Sequence, residues 1–289
     1  MPGTVRAVVG LFRETIDRCL KHNTSLLSGA LAFYALLSLA PALYFVVEAA
    51  GMVIGRREAS SEVLEWATQM LGSGGASFIS GVLDRNRAGN SLATIAGVAS
   101  LFFGATGAFG ALQDALNLIW EVPPTARGYI KQFFFKRLKS FVAVMLAGVL
   151  LLAGLLIGAI ISAAGKFIPQ ALPATELFLQ AVNFAVTLAL VTVLFAMLYR
   201  LLPDSWVAWR DVWTGAAVTA LLFSIGKTLI GVYLGHTSPS SPFGAAGSVV
   251  VFLLWVYYSA QIFLFGAEFT EVYAVARRAG SRTPPKPPS

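Results

Sequence analysis

Six long apolar stretches constrain this chain more than any other feature of its sequence. They run over residues 28–54, 91–112, 140–164, 177–199, 212–235 and 247–267, about half of the 289 residues, and hold only two formal charges, Glu48 and Lys227. A bilayer core is about 30 Å thick, and crossing it takes roughly 20 apolar residues of helix, because every backbone N–H and C=O must be bonded within the segment. All six stretches are long enough. The chain is 57% hydrophobic and 12% charged, against about 25% charged for an ordinary soluble domain. That leaves too few charged groups to cover a water-facing surface. A water-soluble globular enzyme is therefore excluded as the default. The predicted class is all-α: a polytopic membrane protein with a bundle of six transmembrane helices. The first stretch is too long for a signal-peptide core and lacks a small-residue cleavage site, so it reads as a retained helix.

The charges outside the spans set the orientation, because basic flanks resist translocation. Fifteen Lys and Arg residues fall in the N-terminal segment, the second and fourth connections and the tail, including Arg127, Lys131, Lys136, Arg137 and Lys139 in the second connection. The alternate connections hold five: Arg56, Arg57, Arg85, Arg87 and Lys166. Both termini are thus predicted to be cytoplasmic. The net charge of +7 becomes a topology signal and an attraction to anionic lipid headgroups, worth about 1 kcal/mol per well-placed basic residue. Nucleic acid is not an expected partner, since the basic residues are divided among membrane-flanking segments and no binding motif accompanies them. Protein partners cannot be read from the sequence, and an oligomer is compatible with it. Cys19 is the single cysteine, so no internal disulfide forms, and no Cys/His spacing matches a metal site.

Between and beyond the spans, residues 4–22 place Val5, Val8, Val9, Phe12, Ile16, Cys19 and Leu20 on one helical face. This predicts an N-terminal amphipathic helix, either on the cytoplasmic membrane surface or packed on the bundle. The first outer connection, 55–90, is long enough to require structure of its own. Its apolar residues Val63, Leu64, Trp66, Ala67, Met70 and Leu71, the break at Gly72, Gly74 and Gly75, and the turn at Phe78, Ile79 and Val82 predict short helices on the outer face. Residues 1–275 thus form a single transmembrane domain, and 276–289 a disordered, Pro-rich cytoplasmic tail.

Polar residues within the spans are the candidate functional groups. Tyr34, Ser38, Pro41 and Glu48 share one face of the first span, which Pro41 should kink. Lys227 lies in the fifth span, and Tyr258, Gln261 and Glu268 share a face of the sixth. At 1.5 Å per residue, Glu48 lies about 10 Å and Lys227 about 5 Å outward of their span centres. The two are expected to pair, because a lone charge at that depth costs at least roughly 2.5–3.5 kcal/mol. Lys227, Glu48, Tyr34, Ser38, Pro41, Tyr258 and Gln261 are therefore candidates to line a substrate path or a site for an anionic headgroup. Asp114, Asn117, Glu268 and Arg200 form a predicted polar cluster at the cytoplasmic end, where Asp114 and Glu268 could pair with Arg200 or the basic connection 127–139. A packing role stands beside the functional one for all of these; for Asn183 and Gln261 it is interhelical hydrogen bonding.

Several strings then read as one pattern: LSGALAFYALLSLAPAL in the first span, GALQDALNLIWEV leaving the second, LLPDSWVAWRDVWTGA entering the fifth, and FGAAGSVVVFLLWVYYSAQIFLFGAEFTEVYA through the sixth. In order and over residues 10–275 they resemble the YihY/BrkB family of bacterial inner-membrane proteins. The pattern includes Tyr34, Ser38, Pro41, Asn117, Trp120, Pro203, Tyr233, Gly244, Trp255 and Glu268. The resemblance implies six spans in a bacterial cytoplasmic membrane. It implies no established activity: members are associated with serum resistance and suspected of transport, including of lipid-like molecules. Members have also been labelled ribonuclease BN, and this sequence argues against that label. Metal-dependent RNA cleavage uses clustered His and carboxylate ligands, whereas His22 and His236, the two histidines, flank spans predicted to end on opposite membrane faces. No GxxxxGK[ST] phosphate loop is present. The chain thus reads as a non-enzymatic membrane protein without a cofactor. It either moves a small or lipid-like anionic substrate, or acts as a scaffold that binds partners through its surface helix and basic connection.

Overall fold

The structure is a computed structural model of the chain, and it describes residues 2–85, 107–123, 150, 173–205, 207–236 and 247–280. Among the described residues the only regular structure is helical. Helix α1 spans Pro2–Lys21, α2 Thr24–Ile54 and α3 Arg56–Arg85. A helix over residues 107–119 is α4. It is followed by α5 at Pro173–Leu201, α6 at Trp209–His236 and α7 at Gly247–Gly280.

Hydropathy located α2, α5 and α6 to within a few residues of their ends. α7 runs past the predicted span, and its helix continues through residues 276–280. Three described segments are long and apolar enough to cross a membrane: Gln180–Leu201 of α5, Trp209–Leu229 of α6 and Val249–Arg278 of α7. Thr24–Leu39 of α2 is a shorter apolar stretch. The predicted span 140–164 lies outside the described residues apart from residue 150, as do residues 91–106 of the second span and the basic connection 127–139.

The first outer connection differs from expectation. Instead of short helices divided at Gly72, Gly74 and Gly75, α3 is one helix of 30 residues, about 45 Å long. Each interior glycine costs about 1 kcal/mol relative to alanine. Against this, Ala59, Ile79 and Leu83 are buried with Val47 of α2 and Phe252 of α7, flanked by Leu36, Leu39, Ala50, Val63 and Ala76. Burying a single Leu or Ile is worth roughly 1.5–3 kcal/mol, so packing of one α3 face outweighs the glycine penalty. Only Gly55 separates α2 from α3. It takes φ +94°, a conformation that glycine adopts without Cβ strain, and it lets α3 fold back along α2.

Contacts divide the chain into two compact units. One comprises Met1–His22, Gln113–Ser224 and Phe263–Ser289; the other comprises Asn23–Leu112 and Ile225–Ile262. The core of the first is aromatic. Tyr199 is fully buried, with its ring centroid 4.9 Å from Phe263, 6.4 Å from Phe195 and 6.2 Å from Trp120. Its hydroxyl donates to the Phe263 carbonyl at 2.7 Å and bonds Thr219 Oγ1 at 3.0 Å. Within this unit α6 and α7 meet on small residues. A Cβ on Gly215 would lie 2.7 Å from Thr270 Cβ, and one on Gly266 would lie 2.8 Å from Thr219 Cβ and 2.5 Å from Tyr199 Oη. Small residues allow helix backbones this close an approach.

Candidate functional site

In the first unit, α1 is held on α7 by a set of polar and aromatic contacts. His22 Nδ1 lies 2.6 Å from Glu268 Oε1, with the two side chains 8% and 0% exposed. Arg18, one turn earlier, pairs with Glu271 and also with Glu14 of its own helix. The ring of Phe12 packs at 5.4 Å from Phe269 and 6.3 Å from Phe265. Positions 12, 15, 18 or 19 and 22 share one face of a helix, and the buried Thr15 lies on that face. Thr15 satisfies its hydroxyl on the Leu11 carbonyl at 2.8 Å. Among the described residues Glu268 Oε2 is buried without a hydrogen-bond partner, and the imidazole reaches Oε1. A second ion pair on α7 joins Arg277 Nε to the buried Asp211 at 3.1 Å.

A polar clamp forms where α4 meets the turn after α5. Gln113 and Asn117, one helical turn apart, donate to Asp204 Oδ2 at 3.2 and 3.1 Å. The Asp204 N–H donates back to Asn117 Oδ1 at 2.8 Å. Helix α4 ends with Glu121 at φ 47° and the Val122 N–H bonded to the Asn117 carbonyl at 2.9 Å, the six-to-one closure of a helix C-terminus. Arg200 donates to the Val207 carbonyl and lies 5.8 Å from the Trp209 ring centroid. Together these contacts fix the α5–α6 reversal.

Two members of the predicted cytoplasmic-end cluster find partners outside the predicted set. Glu268 pairs with His22, not with Arg200; Asn117 pairs with Asp204; Asp114 is exposed. His22, Arg18, Glu271 and Asp204 were absent from the predicted set. A signal was present in the sequence: Arg18 and His22 stand four apart, and Glu268 and Glu271 three apart on another helix, so one pair presents two nitrogen donors and the other two carboxyl groups on a single face.

In the second unit, Tyr34 is half-buried. Its ring lies where a Cβ on Gly107 would come within 2.5 Å, and its centroid is 5.7 Å from Phe33. Ser38 donates to the Ala35 carbonyl of its own helix at 3.1 Å, so its hydroxyl is occupied locally. α2 runs unbroken through Pro41; the side chains of Pro41 and Glu48 lie outside the described residues, and with them the expected Glu48–Lys227 pair. Lys227 is exposed on α6, beside Ile225 at 51% and Leu229 at 61% exposure. It has no ion-pair partner among the described residues. Tyr258 rests on Gly226 of α6, where a Cβ would lie 2.6 Å from its ring. Gln261 donates to Ser25 Oγ at 2.9 Å and to Tyr257 Oη at 3.0 Å, the interhelical hydrogen-bonding role expected of it. Among the described residues no group of three or more His, Cys, Asp or Glu side chains is placed to hold a metal ion.

Known proteins agree with the membrane reading. A family model described as virulence factor BrkB matches residues 15–289. A UPF0761 membrane protein of Pseudomonas paraeruginosa is 33% identical over 179 residues, covering 61% of this chain and 41% of the relative. UPF0761 membrane proteins of Nitrosospira multiformis and Rhodospirillum centenum are 26% and 25% identical, over 90% and 93% of this chain and 59% of each relative. The matched region thus spans between two fifths and three fifths of these relatives. No solved structure matches the chain significantly. With its matching strings in order and a family model covering nearly all of its length, the chain belongs to the virulence factor BrkB family of membrane proteins.

Proposed function

We propose that this chain is a six-span protein of the bacterial inner membrane with both termini cytoplasmic, that it is neither an enzyme nor a ribonuclease, and that it moves, or helps to move, a small or lipid-like anionic substrate. The observation that carries this reading is Lys227: an exposed ammonium on a helix otherwise apolar enough to cross a membrane, set among exposed aliphatic side chains. A charge at membrane depth is costly and ordinarily marks a substrate or ion path. Tyr258 and Gln261, on the α7 stretch of the same unit, supply further polar groups for such a path.

The test is flux in liposomes reconstituted with pure protein. Candidate anionic solutes and fluorescent anionic phospholipids should cross faster than in empty liposomes. Lys227→Met should reduce that flux by roughly tenfold or more, the equivalent of about 1.4 kcal/mol, and Lys227→Arg should retain most of it. The same preparation should leave RNA intact. Unchanged flux for every candidate, or wild-type flux in Lys227→Met, would sink the reading. The scaffold alternative draws support from the part of α1 left uncovered, where Val9, Ile16 and Leu20 are 51–71% exposed; flux absent from wild-type protein would favour it.

A further inference from the structure

Helix α1 has two faces with different fates. Thr15, Arg18 and His22 lie on the face turned to α7, where Arg18 pairs with Glu271 and His22 with Glu268. Val9, Ile16 and Leu20, spaced i, i+7 and i+11, stay 61%, 51% and 71% exposed. Along this second face runs an open groove of about 400 Å³ lined by Val9, Phe12, Arg13, Ile16 and Asp17, a volume within the usual range of small-ligand sites. Arg13 is exposed and, unlike Arg18, has no ion-pair partner among the described residues.

Three observations choose the occupant. The groove is apolar along Val9, Phe12 and Ile16 and carries the Arg13 guanidinium and the Asp17 carboxylate at its edge, a pattern that suits an acyl chain with a phosphate placed on the Arg13 side. α1 is docked on α7 at Phe265–Glu271, inside the stretch Val249–Arg278 that is apolar enough to lie in a membrane. The balance of charge along α1 is basic, with Arg6, Arg13, Arg18 and Lys21 against Glu14 and Asp17.

We propose that the α1 groove binds an anionic phospholipid of the bilayer, with the acyl chain along Val9, Phe12 and Ile16 and the phosphate held by Arg13. A guanidinium offers a phosphate two parallel N–H donors. Asp17, one turn on, repels further negative charge, so a singly charged headgroup such as phosphatidylglycerol fits better than a multiply charged one. The inference rests on the membrane reading of the chain but not on transport: a lipid site here stands even where flux fails.

The test uses the whole chain with Cys19→Ser, spin-labelled at Ile16→Cys or Leu20→Cys in vesicles of phosphatidylcholine with or without phosphatidylglycerol. Both labels should be more accessible to oxygen than to a water-soluble nickel complex, and a label at Glu14→Cys should show the reverse. By native mass spectrometry from mixed nanodiscs, the protein should retain phosphatidylglycerol over phosphatidylcholine. Arg13→Gln should weaken that retention about fivefold, the fold-change equivalent to one well-placed basic residue. Labels at 16 and 20 open to nickel would place the face in water; labels shielded from both reagents would mean that protein covers it. Either result, or phosphatidylglycerol retention unchanged in Arg13→Gln, overturns the proposal.

Discussion

Replacing His22 with alanine should destabilise the protein by about 2–3 kcal/mol, the upper end of the usual cost of leaving a buried hydrogen-bonding group without its partner. The Glu268 side chain is fully shielded, its Oε1 is 2.6 Å from the imidazole, and its Oε2 has no hydrogen-bond partner. Without His22 both oxygens would be buried without a donor. Glu268→Gln should be milder, about 1 kcal/mol, since the amide carbonyl can still accept from the imidazole. The double variant His22→Ala, Glu268→Ala should recover part of the loss. Unfolding in detergent across the four proteins gives the coupling directly: additivity within about 0.5 kcal/mol would show that the two groups do not hold each other.

The second large effect is steric. Gly266→Val should destabilise by about 3 kcal/mol or more, at the upper end of core overpacking. A Cβ there meets Thr219 Cβ at 2.8 Å and Tyr199 Oη at 2.5 Å, and neither neighbour is free to retreat. The Tyr199 hydroxyl is bonded to the Phe263 carbonyl, and Thr219 Oγ1 lies within hydrogen-bond distance of both the Gly215 carbonyl, at 2.7 Å, and Tyr199 Oη, at 3.0 Å, sharing its one proton between them. Displacing either leaves a buried polar group unsatisfied, at about 1–3 kcal/mol each. Even Gly266→Ala should lose stability, because its helix-propensity gain of about 1 kcal/mol is smaller than that cost. Gly81 and Gly110 are the controls: nothing lies within 4 Å of a Cβ built on either, so alanine there should be neutral or stabilising. Equal behaviour of Gly266→Ala and Gly81→Ala in thermal unfolding would mean that α6 and α7 are further apart than described.

Most of the helical framework was legible because hydrophobic stretches of membrane length have one solution, a helix bonded within itself. Helix α3 was not, because its glycines and charges weaken the local signal and its stabilising contacts are with α2, which no window of α3 alone contains. His22 was legible only as a span flank, since its partner is 246 residues away. Glu268 was recognised as a polar residue near a helix end, but its choice of His22 over Arg200 depends on how α1 docks. The clamp on Asp204 was half visible: Asn117 was singled out, while its acceptor lies in a turn whose Pro and Ser content reads only as a reversal. The seam at Gly215 and Gly266 carries no periodic signature beyond ordinary small residues.

The docking of α1 also has a consequence for the order of assembly. Its side-chain contacts to Glu268 and Glu271 join residues 246 and 253 positions apart, whereas α2 and α3 are neighbours in sequence with a single residue between them. During synthesis, which runs from the N-terminus, the α2–α3 hairpin can close early on local contacts. Helix α1 has to wait until α7 has emerged. For that interval α1, made before α2 and α3, stays unseated, and α7 acts as the piece that closes on it.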